Sequence, residues 1–256
     1  MAEALISRLK GYQVMVADVS VQRLVLLRKK YKVKTTRDNS EAFAFGEVVV
    51  LAVKPQQMSE VLEELRTLNI EHRTQKMIIS IAAGIPLDYL QKKLPGYPII
   101  RAMPNNPCLV GYGITALAKG RKVSGKQDEE AKKIFRPVGE VVEVPEKWMD
   151  AVTGLSGSGP AFVYQAIEAL IEGGAAAGLT RKVATQLALQ TVLGSVLTAI
   201  LAGKTPDQLT AMVASPGGTT VEGLKLLEQS RFKKILGGAV VAAARKSKAI
   251  SKKWAL

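Results

Sequence analysis

The residues with the clearest capacity for chemistry lie near the carboxyl end, in "ASPGGTTVEGLKLLE", Ala214 to Glu228. A rigid proline, two glycines and two threonines introduce a helical pattern, with no acid or base among them. A plain helix start needs only one capping side chain. This start gathers backbone N–H groups and hydroxyls at one point, an arrangement suited to something small and negatively charged. The plainer alternative is that Ser215, Thr219 and Thr220 merely cap the helix. Capping leaves the Gly217–Gly218 pair unexplained.

A second small-residue stretch, "GLSGSGPAF" (Gly154 to Phe162), also introduces a helix. Ser156 and Ser158 are expected to cap it, while its glycines admit a close backbone or substrate. A serine nucleophile elbow would need a preceding strand and a histidine base. The strand pattern is missing, and the single histidine, His72 in "NIEHRT", reads as a surface residue. The single cysteine, Cys108, excludes an internal disulfide and a cysteine-rich metal site.

Apolar residues make up 47% of the 256, enough for a sizeable core in one or two domains. The start "MAEALISRLKGY" carries Glu3 and lacks the basic-then-apolar order of a secretory signal, so a soluble cytoplasmic protein is expected. The uncharged run Val183 to Gly203 has the length of a membrane span. It also holds Thr185, Gln186, Gln190, Thr191, Ser195 and Thr198, and is read as a helix in a core or subunit interface. The net charge of +14 is spread over both halves, with an acid-free concentration from Arg231 to Lys253. That segment reads as a helix with a small-residue face and a solvated basic face. Neither a nucleic acid nor a membrane is expected as partner.

The elements that must position these residues fall in two halves. From Gln13 to about Val144, apolar runs alternate with helical patterns. "QVMVA", "VVVLAV" and "MIISIAA" read as strands covered on both faces, followed by strands at "YPIIRAM", "GITALAK" and "GEVVEVP". "QQMSEVLEELRTL" and "PLDYLQKKL" have helical spacing. These units predict an α/β class, a Rossmann-type doubly wound sheet. After about Lys147 the pattern becomes helical throughout, rich in small residues suited to packing against a second copy.

A dinucleotide-binding sheet opens with a strand, a G-x-G-x-x-G turn and a helix. Here the chain opens with the helix itself, and Leu5, Ile6 and Leu9 supply its buried face. The next strand, "VMVAD", ends in Asp18, at a suitable separation to meet an adenosine ribose. The first strand and its glycine turn are therefore missing from the pattern, and with them the N–H groups that cradle a pyrophosphate. Either residues upstream of Met1 belong to the product or the chain is damaged as a cofactor binder; the former is expected, because the other elements are present.

Four stretches together resemble the pyrroline-5-carboxylate reductase family. They are "VVLAVKPQQM", "IISIAAGIP", "IIRAMPNNPCLVGYG" and, in the second half, "AVTGLSGSGPAFVY" with "ASPGGTTVEGL". The resemblance implies a dinucleotide-binding domain over 1–147 and a helical dimerisation and substrate domain over 148–256. It further implies an intertwined homodimer, often in a ring of dimers. The implied reaction is hydride transfer from NADPH or NADH to the C5=N bond of 1-pyrroline-5-carboxylate, giving L-proline, the last step of proline biosynthesis.

On this resemblance, Ser215, Gly217, Gly218, Thr219 and Thr220 bind substrate, and Thr220 hydrogen-bonds the ring nitrogen and relays its proton. Glu146 resembles an acid lining the active site; the alternative is a solvated linker residue. Ala52, Val53, Lys54 and Pro55 line the cofactor at a strand end, as do Ala82, Ala83 and Gly84. Lys54 also invites a catalytic-base reading. Asn39 resembles an adenosine contact, or simply caps a helix. Asn105 and Asn106 shape a turn near the nicotinamide. Asp18 would bond a ribose 2′-OH and favour NADH, Arg23 would offset this, and family members commonly use NADPH. NADPH is therefore expected, with NADH as a second option.

Two departures stand out: Met212 where relatives place a polar residue, and an "ILAGKTPDQL" without the usual acid and histidine. A related hydroxyacid-type dehydrogenase would need a catalytic lysine in the second half. Lys182 and Lys204 are available, without a supporting pattern. A non-enzymatic alternative is a truncated, catalytically impaired homologue serving as a dimeric binding or scaffold protein.

Overall fold

The computed structural model describes residues 1–68 and 76–254, and His72 lies outside them. The chain forms two compact units, Met1–Ser158 with Val241–Leu256, and Gly159–Val240.

The first unit is α/β. After α1 (Ala2–Ile6), β1 (Met15–Ala17) and β2 (Lys34–Thr36) pair in parallel around α2 (Val21–Tyr31). Then α3 (Asn39–Phe45) leads to β3 (Val48–Leu51), and β3, β4 (Met77–Ser80) and β5 (Ile99–Met103) run parallel. Their connections carry α4 (Met58–Thr67) and α5 (Leu87–Lys93). Next, β6 (Gly113–Lys119) lies antiparallel to β5, and β7 (Gly139–Glu143), reached through α6 (Gly125–Phe135), lies parallel to β6. The reversal at β6 departs from an all-parallel sheet for a simple reason. The link from Met103 to Gly113 holds only a 3₁₀ turn, Asn106–Leu109, too short for a crossover helix.

Strand β4 shows why the central sequence is apolar without alternation. Ile78 packs in one cluster with Met58, Leu62, Leu90 and Ile99, while Met77 and Ile79 pack in another with Leu5, Ile100, Leu117 and Phe135. Both faces are thus covered, and each fully buried Ile contributes about 1.5–3 kcal/mol. Helix α1 is shorter than expected. Leu5 is buried as predicted, but the helix ends at Ile6, where Ser7 Oγ donates to Ala4 O at 2.8 Å and competes with the next turn.

Among the described residues the strands form two sheets, β1–β2 and β3–β7. The Met77 N–H donates to Glu47 O and the Ile81 N–H to Leu51 O, so the backbone groups of Val48 and Val50 point away from β4. Likewise, the Lys34 N–H donates to Val14 O and the Asp18 N–H to Thr36 O, so those of Met15 and Ala17 point away from β2. Among the described residues, those edges of β1 and β3 have no strand paired to them.

An ion cluster ties α6 to the last two strands. The Asp128 carboxylate, buried on α6, meets Lys119 at 3.1 Å and Lys132 at 2.9 Å. Glu143 on β7 pairs with Lys119 at 2.7 Å and also with Lys132. Hydrogen bonds from Lys119 and then Lys132 hold the Glu143 carboxyl down to about 2. A depressed acid contributes stability in full above its unfolded value, about 4.3, and loses it as pH falls through the folded value. Glu143→Gln should therefore melt lower than the unaltered protein at neutral pH, with the gap narrowing between about pH 4 and pH 2. Melting curves that stay parallel across that range would show that Glu143 stores no such stability.

The chain continues through α7 (Met149–Val152), a π turn at Thr153–Gly157, and α8 (Gly159–Ala176). The second unit adds α9 (Arg181–Leu201), α10 (Pro206–Val213), α11 (Thr219–Gln229) and the first part of α12 (Phe232–Lys252). Helices α8 and α9 pack closely because Gly174 lets Ala184 approach, around Ile171 and Ala188. Helix α9 is long and apolar enough to cross a membrane, and little of it is buried. Leu187, Leu193, Val196, Ile200 and Leu201 lie exposed along it, an apolar surface that calls for a cover.

Candidate active site

In the second unit, "SPGG" folds as a tight turn. The Gly218 N–H donates to Ser215 O at 2.9 Å, and Gly217 has a φ of 72°. Pro216 in the first central place and a left-handed Gly217 in the second match a type II turn. At Gly218 a Cβ would sit 3.0 Å from Ser215 O, so both glycines have local work. Gly218 is the N-cap of α11, and no side chain caps the helix. The capping alternative for Ser215, Thr219 and Thr220 is thus not what the structure shows. By contrast, α9 and α10 are capped by Thr180 and Thr205. The first amides of α11 stand open beside the hydroxyl-bearing Thr219, exposed, and Thr220, half-buried. Such a start attracts an anion through both its N–H groups and the helix dipole.

In the first unit, candidate cofactor residues follow the carboxyl ends of strands. After β1, Asp18 Oδ1 accepts the Ser20 N–H at 2.8 Å, and Ser20 Oγ caps α2 by accepting the Arg23 N–H at 3.3 Å. The Arg23 guanidinium stands 3.8 Å from Asp18 and 3.7 Å from Glu3. Glu3 also accepts hydrogen bonds from Lys30 and Tyr31, which hold its carboxyl below the ordinary value. Asn39 does not cap α3; Asp38 does, accepting the Ser40 N–H at 2.7 Å. The Asn39 amide instead donates to Glu64 at 2.8 Å.

After β3, Ala52 and Lys54 are exposed and Val53 and Pro55 half-buried. Lys54 is extended, as a residue before proline should be. After β4, Ala82 and Gly84 are buried, Ala83 is half-buried, and Gly84 has a φ of 78°. Because β3 and β4 are parallel, these two turns share one edge of the sheet. After β5, Asn105 Oδ1 accepts the Ile114 N–H at 2.9 Å and pins the turn to β6.

Glu146 is not a solvated linker residue. Its Oε1 accepts the Leu87 N–H at 2.6 Å, at the start of α5, and lies 3.3 Å from the Arg101 guanidinium, which is 5% exposed. It thereby braces the same β4–α5 turn. The "GLSGSGP" stretch also differs from expectation. It forms no new helix start with serine caps; the helix runs on through a π turn. The hydroxyls of Thr153 and Ser156 donate back to Met149 O and Val152 O, which lets small residues carry the extra backbone position. Gly157 leaves room for Met103, whose Cε would lie 2.7 Å from an added Cβ.

Residues 146–250 match the family model described as pyrroline-5-carboxylate reductase dimerisation, and residues 1–84 match the one described as NADP oxidoreductase, coenzyme F420-dependent. A pyrroline-5-carboxylate reductase from Synechocystis sp. is 46% identical over 259 residues, covering 99% of this chain and 96% of its own. The chain belongs to the pyrroline-5-carboxylate reductase family. The reductase from Coxiella burnetii has a TM-score of 0.89 at 36% identity, covering 98% of this chain and 94% of that one. The Plasmodium falciparum pyrroline carboxylate reductase, solved with NADP bound, has a TM-score of 0.87 at 32% identity, covering 97% and 94%. The fold is that of the family, a Rossmann-like domain followed by a helical dimerisation domain.

The residues after β1, β3 and β4 lie at the carboxyl ends of parallel strands, where open α/β sheets take their ligands. Asp18 and Arg23 offer an acceptor and a cation to a ribose and its phosphate, and the Ala82–Gly84 turn offers a small-residue surface to a flat ring.

Proposed function

We propose that this chain reduces 1-pyrroline-5-carboxylate to L-proline with NADPH, NADH being the second option, as the last step of proline biosynthesis. The observation that carries this reading is the uncapped start of α11 behind the SPGG turn. The substrate carboxylate is held by the open amides of Thr219 and Thr220, with Ser215, Gly217 and Gly218 shaping the approach. The Thr220 hydroxyl hydrogen-bonds the ring nitrogen and relays to it a proton taken up from solvent, so that the hydroxyl is restored and the protonated C5=N carbon is electrophilic. When bound, the nicotinamide supplies the hydride that this carbon accepts. Holding the two ends fixed does most of the work, because the protonated imine needs no strong acid.

In this reading Asn39 and Asp18 stand near the adenosine, Ala52 to Pro55 and Ala82 to Gly84 line the cofactor, and Lys54 is a cofactor neighbour rather than a base. Glu146 keeps its place at the site by bracing the β4–α5 turn. Residues 148–256 act as the dimerisation and substrate domain, and the exposed apolar face of α9 is covered in a homodimer, which itself builds rings. The protein works in the cytoplasm, with neither nucleic acid nor membrane as partner.

The test is the oxidation of NADPH and NADH by the full chain with pyrroline-5-carboxylate. Activity is expected with both, and Arg23→Ala should lower the NADPH-to-NADH preference roughly tenfold by removing one charge-assisted contact.

A further inference from the structure

The carboxyl-terminal part of α12 has no part in the chemistry above, yet it sits on the turn assigned to the cofactor. A Cβ at Gly84 would lie 2.6 Å from Ile250 Cγ2 and 3.2 Å from Ile250 Cβ. The isoleucine therefore fills the room that a side chain at position 84 would need. Two hydroxyls fix the helix in place: Ser247 Oγ donates to Asp150 Oδ1 at 2.6 Å, and Ser251 Oγ donates to the same oxygen at 3.2 Å. Ser247 is 4% exposed, on a segment whose Arg245, Lys248 and Lys252 are exposed. Beyond them, Trp254 packs edge-on against Tyr89 of α5, ring centroids 5.0 Å apart. Ser247, Ile250 and Ser251 follow helical spacing and share one face, and Trp254 continues the contact just past the helix end.

We propose that this face is a clamp that holds the β4–α5 turn in its cofactor-binding conformation, so that Ser247, Ile250 and Ser251 are positioning residues for NADPH. The physical need comes from Gly84. With a φ of 78° and no side chain, it is free to leave the left-handed region unless something fills the space beside it. A turn that wanders must be ordered on binding, and that cost falls directly on affinity. The clamp rests on the reading that Ala82 to Gly84 line the cofactor.

The test uses the full chain, NADPH fluorescence titration, and amide hydrogen exchange without nucleotide. Ile250→Ala is expected to weaken NADPH binding roughly tenfold and to speed exchange at Gly84 and Ile85. Ile250→Val keeps Cβ and Cγ2, so it should behave as the unaltered protein. The double change Ser247→Ala with Ser251→Ala carries the same expectation as Ile250→Ala and stands in for it should that variant not fold. Unchanged affinity and exchange in Ile250→Ala, with only a lower melting temperature, would overturn the clamp. Ala83→Leu separates the two levels: it should abolish NADPH binding by filling the cofactor surface. If Ala83→Leu abolishes binding while Ile250→Ala leaves it intact, the clamp alone fails. If Ala83→Leu, or the unaltered chain, gives no NADPH-dependent change attributable to that turn, the cofactor reading fails and the clamp with it.

Discussion

Thr220→Val is expected to lower kcat/KM for pyrroline-5-carboxylate by roughly 10²- to 10³-fold. Valine keeps the β-branched shape and removes only the hydroxyl. Since no side chain caps α11, the helix loses no cap in the exchange. The backbone amides that receive the carboxylate are untouched, so the loss should fall mainly on kcat rather than on KM. Thr220→Ser, which restores a hydroxyl at the same place, should recover most of the rate. NADPH oxidation under steady state reads both constants. A valine variant with undiminished kcat would remove Thr220 from the reaction and leave the ring nitrogen to Thr219.

The second large effect is on folding. Gly139→Ala should cost at least about 4 kcal/mol, the range reserved for a backbone conflict in the core. Gly139 opens β7 with a φ of 144°, and a Cβ there would lie 2.0 Å from Gly113 O and 2.5 Å from both the C and the N of Gly113. That neighbour is backbone of β6, paired in register with Gly139 itself, and cannot swing aside as a side chain would. Gly113 is just as confined, with Cys108 Sγ 2.2 Å from its own missing Cβ. Denaturant unfolding would read the loss, and an insoluble product would agree with it. Gly125→Ala is the control: nothing lies within 4 Å of its Cβ position, so it should be close to neutral. A Gly139→Ala variant as stable as the control would mean that β6 and β7 tolerate a shifted register.

What could be read from the sequence depends on how local the cause is. Strand β4 is legible because both of its faces are buried, so Met77, Ile78 and Ile79 carry an unbroken apolar signal. The SPGG turn is legible because proline fixes φ by itself and glycine admits the positive φ that the next place in the turn needs. By contrast, β2 is three residues long and polar, so no period announces it. The reversal at β6 follows from the length of a connection, which apolar patterning does not weigh. Glycines and serines in "GLSGSGP" suit a cap and a π turn equally, and the hydroxyls decide by donating backwards. The Glu146 contacts to Leu87 and Arg101 and the Asp150 contacts to Ser247 and Ser251 span 45 to 101 residues. No local pattern encodes such partners; the fold brings them together.

The apolar surface of α9 also bears on how the protein behaves among its own copies. Leu187, Leu193, Val196, Ile200 and Leu201 stand exposed on one helix, and apolar area left in water is driven to bury itself against a matching surface. The residues that join copies are therefore a hazard until they meet, and dilution prolongs that interval. Resistance to unfolding should rise with protein concentration, as it does wherever association favours the folded form.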